Sequence, residues 1–153
     1  MNVLSRFRKF GGNESGSSLV ETALVTPVLM LLLLGTVDVG RALYLAMEVA
    51  GAAQAGAEYG MLKPSDTAGI QSAALNNAPD VRSKAVVTPQ YGCECSDGSS
   101  YTASCSATPV CSSNVVYRVN VSVSATYKPW FPWPGIPSSI KLANSAAMRS
   151  GGS

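Results

Sequence analysis

Histidine does not occur in this 153-residue sequence, and charged residues make up only 13% of it. Without histidine the chain lacks the commonest general base near neutral pH and the commonest metal ligand in proteins. Catalytic arrangements of the Ser-His-Asp, Cys-His and HExxH types are therefore excluded. Serines and lysines are scattered along the chain, so a Ser-Lys pair stays open. The missing side chains nevertheless predict a protein that is not an enzyme and binds no metal or cofactor.

Positive charge is also sparse, because 11 Lys and Arg residues face 9 Asp and Glu residues, for a formal net charge of +2. No basic stripe runs along the sequence, and we therefore expect no nucleic-acid partner. At this length the chain can hold one small domain beside one membrane segment.

What the sequence does contain is a long uncharged apolar run, residues 22–37. With its flanks the run is long enough to cross a bilayer core of about 30 Å as a helix. Arg6, Arg8 and Lys9 precede it, and no comparable basic cluster follows it closely. The positive-inside rule therefore predicts a cytoplasmic N-terminus, with everything after about Gly40 outside the membrane.

A carboxylate and a proline stand in this segment. Glu21 opens the apolar run, and a charge there is costly in lipid, so it is a functional-site hypothesis by default. The alternative is a protonated or snorkelling side chain at the inner interface. Pro27 removes one backbone donor inside the run, and we expect a bend or a local break of the helix there.

An ordinary secretory signal peptide is a competing interpretation of the N-terminus. The polar insert 11–18 separates the basic residues from the apolar run, and the residues after Leu34 offer no good A-x-A cleavage site. An uncleaved signal anchor is a further alternative that these residues leave open.

Four cysteines, Cys93, Cys95, Cys105 and Cys111, lie in one short polar stretch. A zinc site is the alternative interpretation, but paired CxxC spacing is missing and no histidine can help. Two disulfides in an oxidising compartment fit better, since the cysteines follow the membrane segment. Cys93 and Cys95 are too close for an easy bridge to each other, so two connectivities stay open.

The remaining pattern predicts helices followed by strands. The first helix continues to about Leu62 with a stripe of Leu43, Met47, Ala50 and small residues, and a second runs from Ser65-Asp66 to about Asn77. The stripe either covers the domain's own sheet or packs against other helices. Strands are expected at 84–88, 115–127 and 140–149, with a stapled excursion at 92–114. The predicted fold is α+β, a long N-terminal helix packed on a small antiparallel sheet.

A loop rich in proline and aromatic residues separates the last two predicted strands, at residues 128–137. Trp130, Phe131 and Trp133 carry a large apolar surface there. They either plug the end of the domain core or contact lipid headgroups or a partner. We expect at least one tryptophan to pack internally.

Residues 16–44, GSSLVETALVTPVLMLLLLGTVDVGRALY, resemble the N-terminal region of TadE-like proteins, pseudopilins of the tight-adherence (Tad/Flp) pilus system. The matching features are a Val-Glu pair whose glutamate is five residues after Gly16, Ala23-Leu24, Pro27, a leucine run and an acidic-x-Gly-Arg-Ala segment at 38–42. Thr22 is a departure, because the family commonly has an aromatic residue after the glutamate. Residues 115–149 also look familiar, as an alternating strand, a Pro/aromatic loop and an Ala/Ser-rich strand.

The resemblance implies that a prepilin peptidase cuts between Gly16 and Ser17. The cut would create an α-amine at Ser17, with Glu21 four residues further along the same helix face. Opposite charges in a low dielectric attract strongly, but each also pays a desolvation cost. We favour pairing of Glu21 with the amine of a neighbouring subunit as their helices pack side by side.

The resemblance also implies a pilin-like fold and a function in pilus biogenesis. It divides the chain into a basic leader (1–16), a transmembrane and extended helix (17–62) and an extracytoplasmic α+β domain (63–153). The expected function is that of a minor pilin or pseudopilin in the bacterial inner membrane. Its expected partners are other pilins, the pilus assembly machinery, the peptidase and membrane lipid. The alternative is a signal-anchored extracytoplasmic binding domain unrelated to pili, with the Pro/Trp loop as its contact surface.

Overall fold

A computed structural model describes residues 14–106 and 109–150 of the chain. The elements, in chain order, are helices α1 (Glu14–Leu62) and α2 (Thr67–Asn76) and strands β1 (Val86–Cys95), β2 (Tyr101–Thr102), β3 (Val115–Tyr127) and β4 (Ile140–Ser150). The strands form one antiparallel sheet in the order β2-β1-β3-β4. This architecture confirms the predicted α+β fold. The chain divides into two compact units between Val39 and Gly40, and the basic residues of the leader lie outside the described residues.

The described part of the first unit, residues 14–39, is helical throughout. Its large apolar side chains are exposed, from 38% at Leu34 to 72% at Leu19. The threonine hydroxyls donate to carbonyl oxygens four residues earlier, as Thr26 does to Thr22 at 2.7 Å. Such bonds satisfy the hydroxyl groups within the helix itself, as a membrane-spanning helix would require. Helix α1 is long and apolar enough to cross a membrane, and it suits the predicted anchoring role.

Helix α1 continues through Pro27 without a break in its secondary structure. The expected local break is therefore not present, and a bend at this residue stays a prediction. A proline removes a single helical hydrogen bond, so the flanking turns can keep the helix intact.

In the second unit, residues 40–62 of α1 pack on the sheet through small side chains. Val49, Ala52, Ala53 and Ala57 are no more than 1% exposed and belong to the core. The stripe therefore covers the domain's own sheet, which is one of the two alternatives that the sequence left open. Leu43 and Met47 were assigned to the same stripe, and this was wrong, because they are 61% and 66% exposed. They lie off the buried face, which is built from smaller residues that allow a close approach.

Strand β3 is the centre of the sheet and has the alternation that its sequence predicts. The inward residues are nearly inaccessible, at 0–4% exposed: Val119, Val121, Val123, Ala125 and Tyr127. It pairs with β1 on one side and along its length from Tyr117 with β4 on the other. Its other face carries the polar residues, including Arg118, and looks away from the core.

Strand β1 differs from its prediction, because it spans Val86–Cys95 rather than 84–88. The last four residues had been assigned to the excursion, but they pair in register with Val115–Arg118 of β3. Pro89 does not interrupt the strand, since β2 pairs only with Cys93 and Glu94 and leaves β1 as an edge at the proline.

Helix α2 begins at the predicted cap. The Asp66 carboxylate accepts a hydrogen bond from the Gly69 amide at 2.9 Å and another from the Tyr59 hydroxyl at 2.8 Å. The Gly69 amide is the first cause of the lowered pKa of Asp66, and the Tyr59 hydroxyl is the second. The same contact raises the pKa of Tyr59.

Candidate functional site

The predicted processing and assembly residues lie in the first two turns of α1. Gly16, Ser17 and Glu21 are exposed, and a Cβ built on Gly16 would have nothing within 4 Å. Ser17 and Glu21 are four residues apart and therefore share one helix face. No Lys or Arg occurs between residues 14 and 40, so this segment contains no cationic side chain that could neutralise Glu21. The geometry can accommodate the predicted roles and does not test them.

The cysteines form two disulfides, Cys93–Cys105 and Cys95–Cys111, with Cα–Cα distances of 5.1 and 5.5 Å. The structure thus selects one of the two connectivities that the sequence left open, and all four cysteines of the chain are used. Cys93 and Cys95 are two residues apart on β1, so both side chains leave the same face of the strand. They tie the segment that follows β2 to the end of the sheet. Among the described residues no cluster of His, Cys, Asp or Glu is suited to a metal ion.

Between these cysteines lies a buried carboxylate that sequence reasoning missed. Glu94 points to the opposite face and is only 2% exposed. Arg118 of β3 donates to it at 2.9 Å, and Arg149 of β4 forms a second ion pair with it. Tyr101 lies against Gly92 on this face, with the Arg118 guanidinium 5.7 Å from its ring. The alternation of β1 could have revealed this cluster, had residues 92–95 been assigned to the strand.

The aromatic loop between β3 and β4 is largely on the surface. Trp130 is 64% exposed, Phe131 is 42% exposed and Trp133 is half-buried. Phe131 and Trp133 meet edge to face, with ring centroids 6.3 Å apart. Neither tryptophan belongs to the buried core. The expectation that one of them packs internally is met only in part, by Trp133.

Arg41 connects this loop to helix α1. Its guanidinium lies 3.7 Å from the centroid of Trp130 and 5.7 Å from that of Tyr127. A cation over an aromatic face at these distances is attracted by the ring quadrupole. The sequence offered no signal for this contact, because 89 positions separate the arginine from the tryptophan and no pattern relates them.

An open cleft of about 660 Å³ lies beside the Arg41–Trp130 pair. Its charged lining residues are Arg41, Asp80, Lys84 and Lys128, and cations therefore outnumber acids. Nearby, the negative charge of Glu48 is the largest cause of the raised pKa of Tyr44, followed by that of Asp80. The cleft therefore presents cationic side chains beside the rings of Tyr127 and Trp130.

Comparison with protein families places the N-terminal part of the chain. A family model described as TadE-like protein matches residues 16–58, which is most of helix α1. The match confirms the predicted resemblance. Neither the curated proteins nor the solved structures contain a match to this chain.

Proposed function

We propose that this chain, whose residues 16–58 are TadE-like, is a membrane-anchored minor pilin or pseudopilin that takes part in assembling a Tad/Flp-type pilus. The observation that carries the proposal is the family match over an apolar helix. Gly16 and Glu21 lie near the N-terminus of this helix. The role is structural, and its partners are other pilins and the assembly machinery.

The proposed topology follows from the basic residues before the apolar segment and from the disulfides after it. The basic residues before it stay in the cytoplasm and residues 40–153 lie outside the bacterial inner membrane. Two disulfides in the second unit support an oxidising compartment for that part of the chain. The charge rule and the cysteine chemistry thus favour the same orientation by independent physics.

Processing by a prepilin peptidase supplies the first functional step. Cleavage after Gly16 frees an amine on Ser17, which is positively charged near neutral pH. Its own Glu21 lies roughly 6 Å further along the helix axis. The exposure of Gly16 and Ser17 supports access by a peptidase, and a Cβ built on Gly16 would have nothing within 4 Å among the described residues.

Assembly is the second step, and Glu21 is proposed to set the register in which a neighbouring subunit packs. A lone carboxylate at the start of an apolar helix is poorly solvated in lipid. When a second processed subunit packs alongside, its Ser17 amine can neutralise Glu21 and the desolvation cost of both charges is offset. An incorrectly staggered subunit would leave both charges unpaired, so the pair sets the register between helices.

The proposal is tested with Glu21→Gln in the native host, because Gln keeps nearly the same shape and removes the charge. Breaking one member of a buried pair costs about 3–5 kcal/mol. We expect the variant to insert, to be cut so that the mature chain begins at Ser17, and to fail to co-purify with other pilins. Mass spectrometry of the membrane fraction and pilin co-purification measure these outcomes.

The matched control is Glu58→Gln, which removes an exposed carboxylate from the same helix beyond the apolar segment. This control should be cut and should assemble normally. Normal pilus assembly by Glu21→Gln would defeat the assembly role. An intact leader on the unaltered chain, in a host with active peptidase, would defeat the processing step.

A further inference from the structure

The loop 128–139 exposes three large apolar side chains. Trp130, Phe131 and Ile136 are 64%, 42% and 46% exposed. Four prolines hold the segment out of the sheet, and Gly135 turns it with a positive φ of 82°. Single exposed apolar residues are normal on protein surfaces, but a cluster on one loop marks an interaction site.

Arg41 lies close to the apolar run along the chain. Trp130 stacks on Arg41, and Arg41 follows Val37, the last residue of the uncharged run, by four positions. Four residues of chain span at most about 14 Å, whatever their conformation. If the apolar segment fills the hydrocarbon core, Arg41 lies in the headgroup layer. The ring stacked on it then lies at the same depth.

The chemistry around the loop matches that layer. Tryptophan is enriched at the membrane–water boundary, where its ring meets both apolar and polar surroundings. Lys84 and Lys128 line the adjoining cleft with Arg41, against a single carboxylate from Asp80. A cationic surplus beside exposed aromatic rings favours the phosphates of anionic lipids.

We propose that loop 128–139, together with Lys84 and Lys128, binds the phospholipid headgroups of the outer leaflet of the bilayer that holds α1. The contact holds the second unit against the membrane surface. The inference requires α1 to span the membrane but does not depend on the pilus role, so either can fail without the other.

The two tryptophans of the chain both lie in this loop, and its intrinsic tryptophan fluorescence therefore reports on the loop alone. The full chain is placed in nanodiscs of phosphatidylcholine, with or without phosphatidylglycerol, that carry headgroup spin-labelled lipid. Trp133→Phe leaves Trp130 as the single reporter, and Trp130→Phe leaves the half-buried Trp133. We expect strong quenching of Trp130, weaker quenching of Trp133, and more quenching when phosphatidylglycerol is present.

The charge contribution is tested in the Trp133→Phe background. Lys128→Gln should weaken docking on phosphatidylglycerol about fivefold, which corresponds to about 1 kcal/mol per lysine near an anionic surface. Lys63→Gln is the matched control, because Lys63 lies at the other end of α1, roughly 33 Å of helix from Arg41. It should leave the quenching unchanged.

Three results would overturn the proposal. In the first, Trp130 is quenched by aqueous acrylamide as fully in nanodiscs as in detergent, and spin-labelled lipid has no effect. In the second, Trp130 becomes protected only when other pilins are added, which would make the loop a protein contact. Equal loss of quenching in the Lys63 and Lys128 variants would likewise contradict the headgroup-binding surface.

Discussion

Helix α1 exposes different kinds of side chain before and after Gly40. Residues 14–39 expose large apolar side chains such as Leu19 at 72%, whereas Ala52 and Ala57 in residues 40–62 are at most 1% exposed. Large apolar residues around the whole circumference suit contact with lipid chains. Small residues on one stripe suit close contact with a sheet. One continuous helix therefore carries two hydrophobic patterns, each matched to a different solvent.

The difference implies that the two units are stabilised independently. In its described part, residues 14–39, the first unit leaves its large apolar side chains exposed, and such a surface suits contact with lipid chains. The second has a core of small residues and two disulfides at one end of the sheet. A change that unfolds the second unit should therefore leave the chain in the membrane.

The largest expected effect comes from the disulfides. Replacing Cys95 and Cys111 together by serine should lower the unfolding free energy of the second unit by about 2–5 kcal/mol, because the unfolded chain gains freedom. Denaturant titration in detergent, followed by tryptophan fluorescence, measures the loss. Carbonate extraction of membranes should still find the variant in the pellet, and its release into the supernatant would contradict independent stability.

A smaller effect is expected from alanine substitutions at two glycines of α1, Gly60 and Gly40, which should change stability in different directions. A Cβ on Gly60 would lie 2.6 Å from Val119 Cγ1, and Val119 is fully buried, while a Cβ on Gly40 would have nothing within 4 Å. Gly60→Ala should destabilise the second unit by about 1–3 kcal/mol through overpacking. Gly40→Ala should be neutral or should stabilise the helix by up to about 1 kcal/mol. Thermal unfolding of both full-length variants measures the difference. Equal melting temperatures would show that a Cβ at position 60 does not overpack against β3.

The smallest expected effect concerns the response of the second unit to acid, at the N-terminal cap of α2. The pKa of Asp66 lies below its ordinary value of 3.8, first because the Gly69 amide bonds its carboxylate. A lowered folded-state pKa means that the cap stabilises fully above 3.8 and loses its effect as pH falls through the folded-state pKa. The protection factor of the Gly69 amide, which is its exchange rate relative to the intrinsic rate at each pH, should fall in that window, and Asp66→Asn, which can still cap, should remove this pH dependence. Unchanged protection in acid would contradict the cap's contribution.

Local patterns predicted much of the fold because they depend on few neighbours. The period-2 alternation of β3 and the Asp66 cap are each written in adjacent residues, and both are present as predicted. The extent of β1 was predicted less well. Its second half, with Gly92 and two cysteines, has weak strand propensity, and pairing with β3 overrides it.

The candidate sites divide in the same way. Gly16 and Glu21 were predicted from their spacing and from the resemblance to TadE-like proteins, and their roles stay predictions. The Glu94 cluster and the Arg41–Trp130 contact were not found, because each joins residues from different elements. A buried carboxylate needs partners in space, and sequence separation hides them.

The sequence by itself determined the apolar helix, the central strand, the α+β class and the family resemblance, because these depend on composition and short-range periodicity. The tertiary structure decided which cysteine meets which, and that two arginines neutralise Glu94. It also decided that the aromatic loop lies against Arg41. These contacts arise from the register of β1, β3 and β4 and from the packing of α1 on the sheet. Register and packing are settled by the burial of the whole set of side chains at once, and no single stretch of sequence contains them.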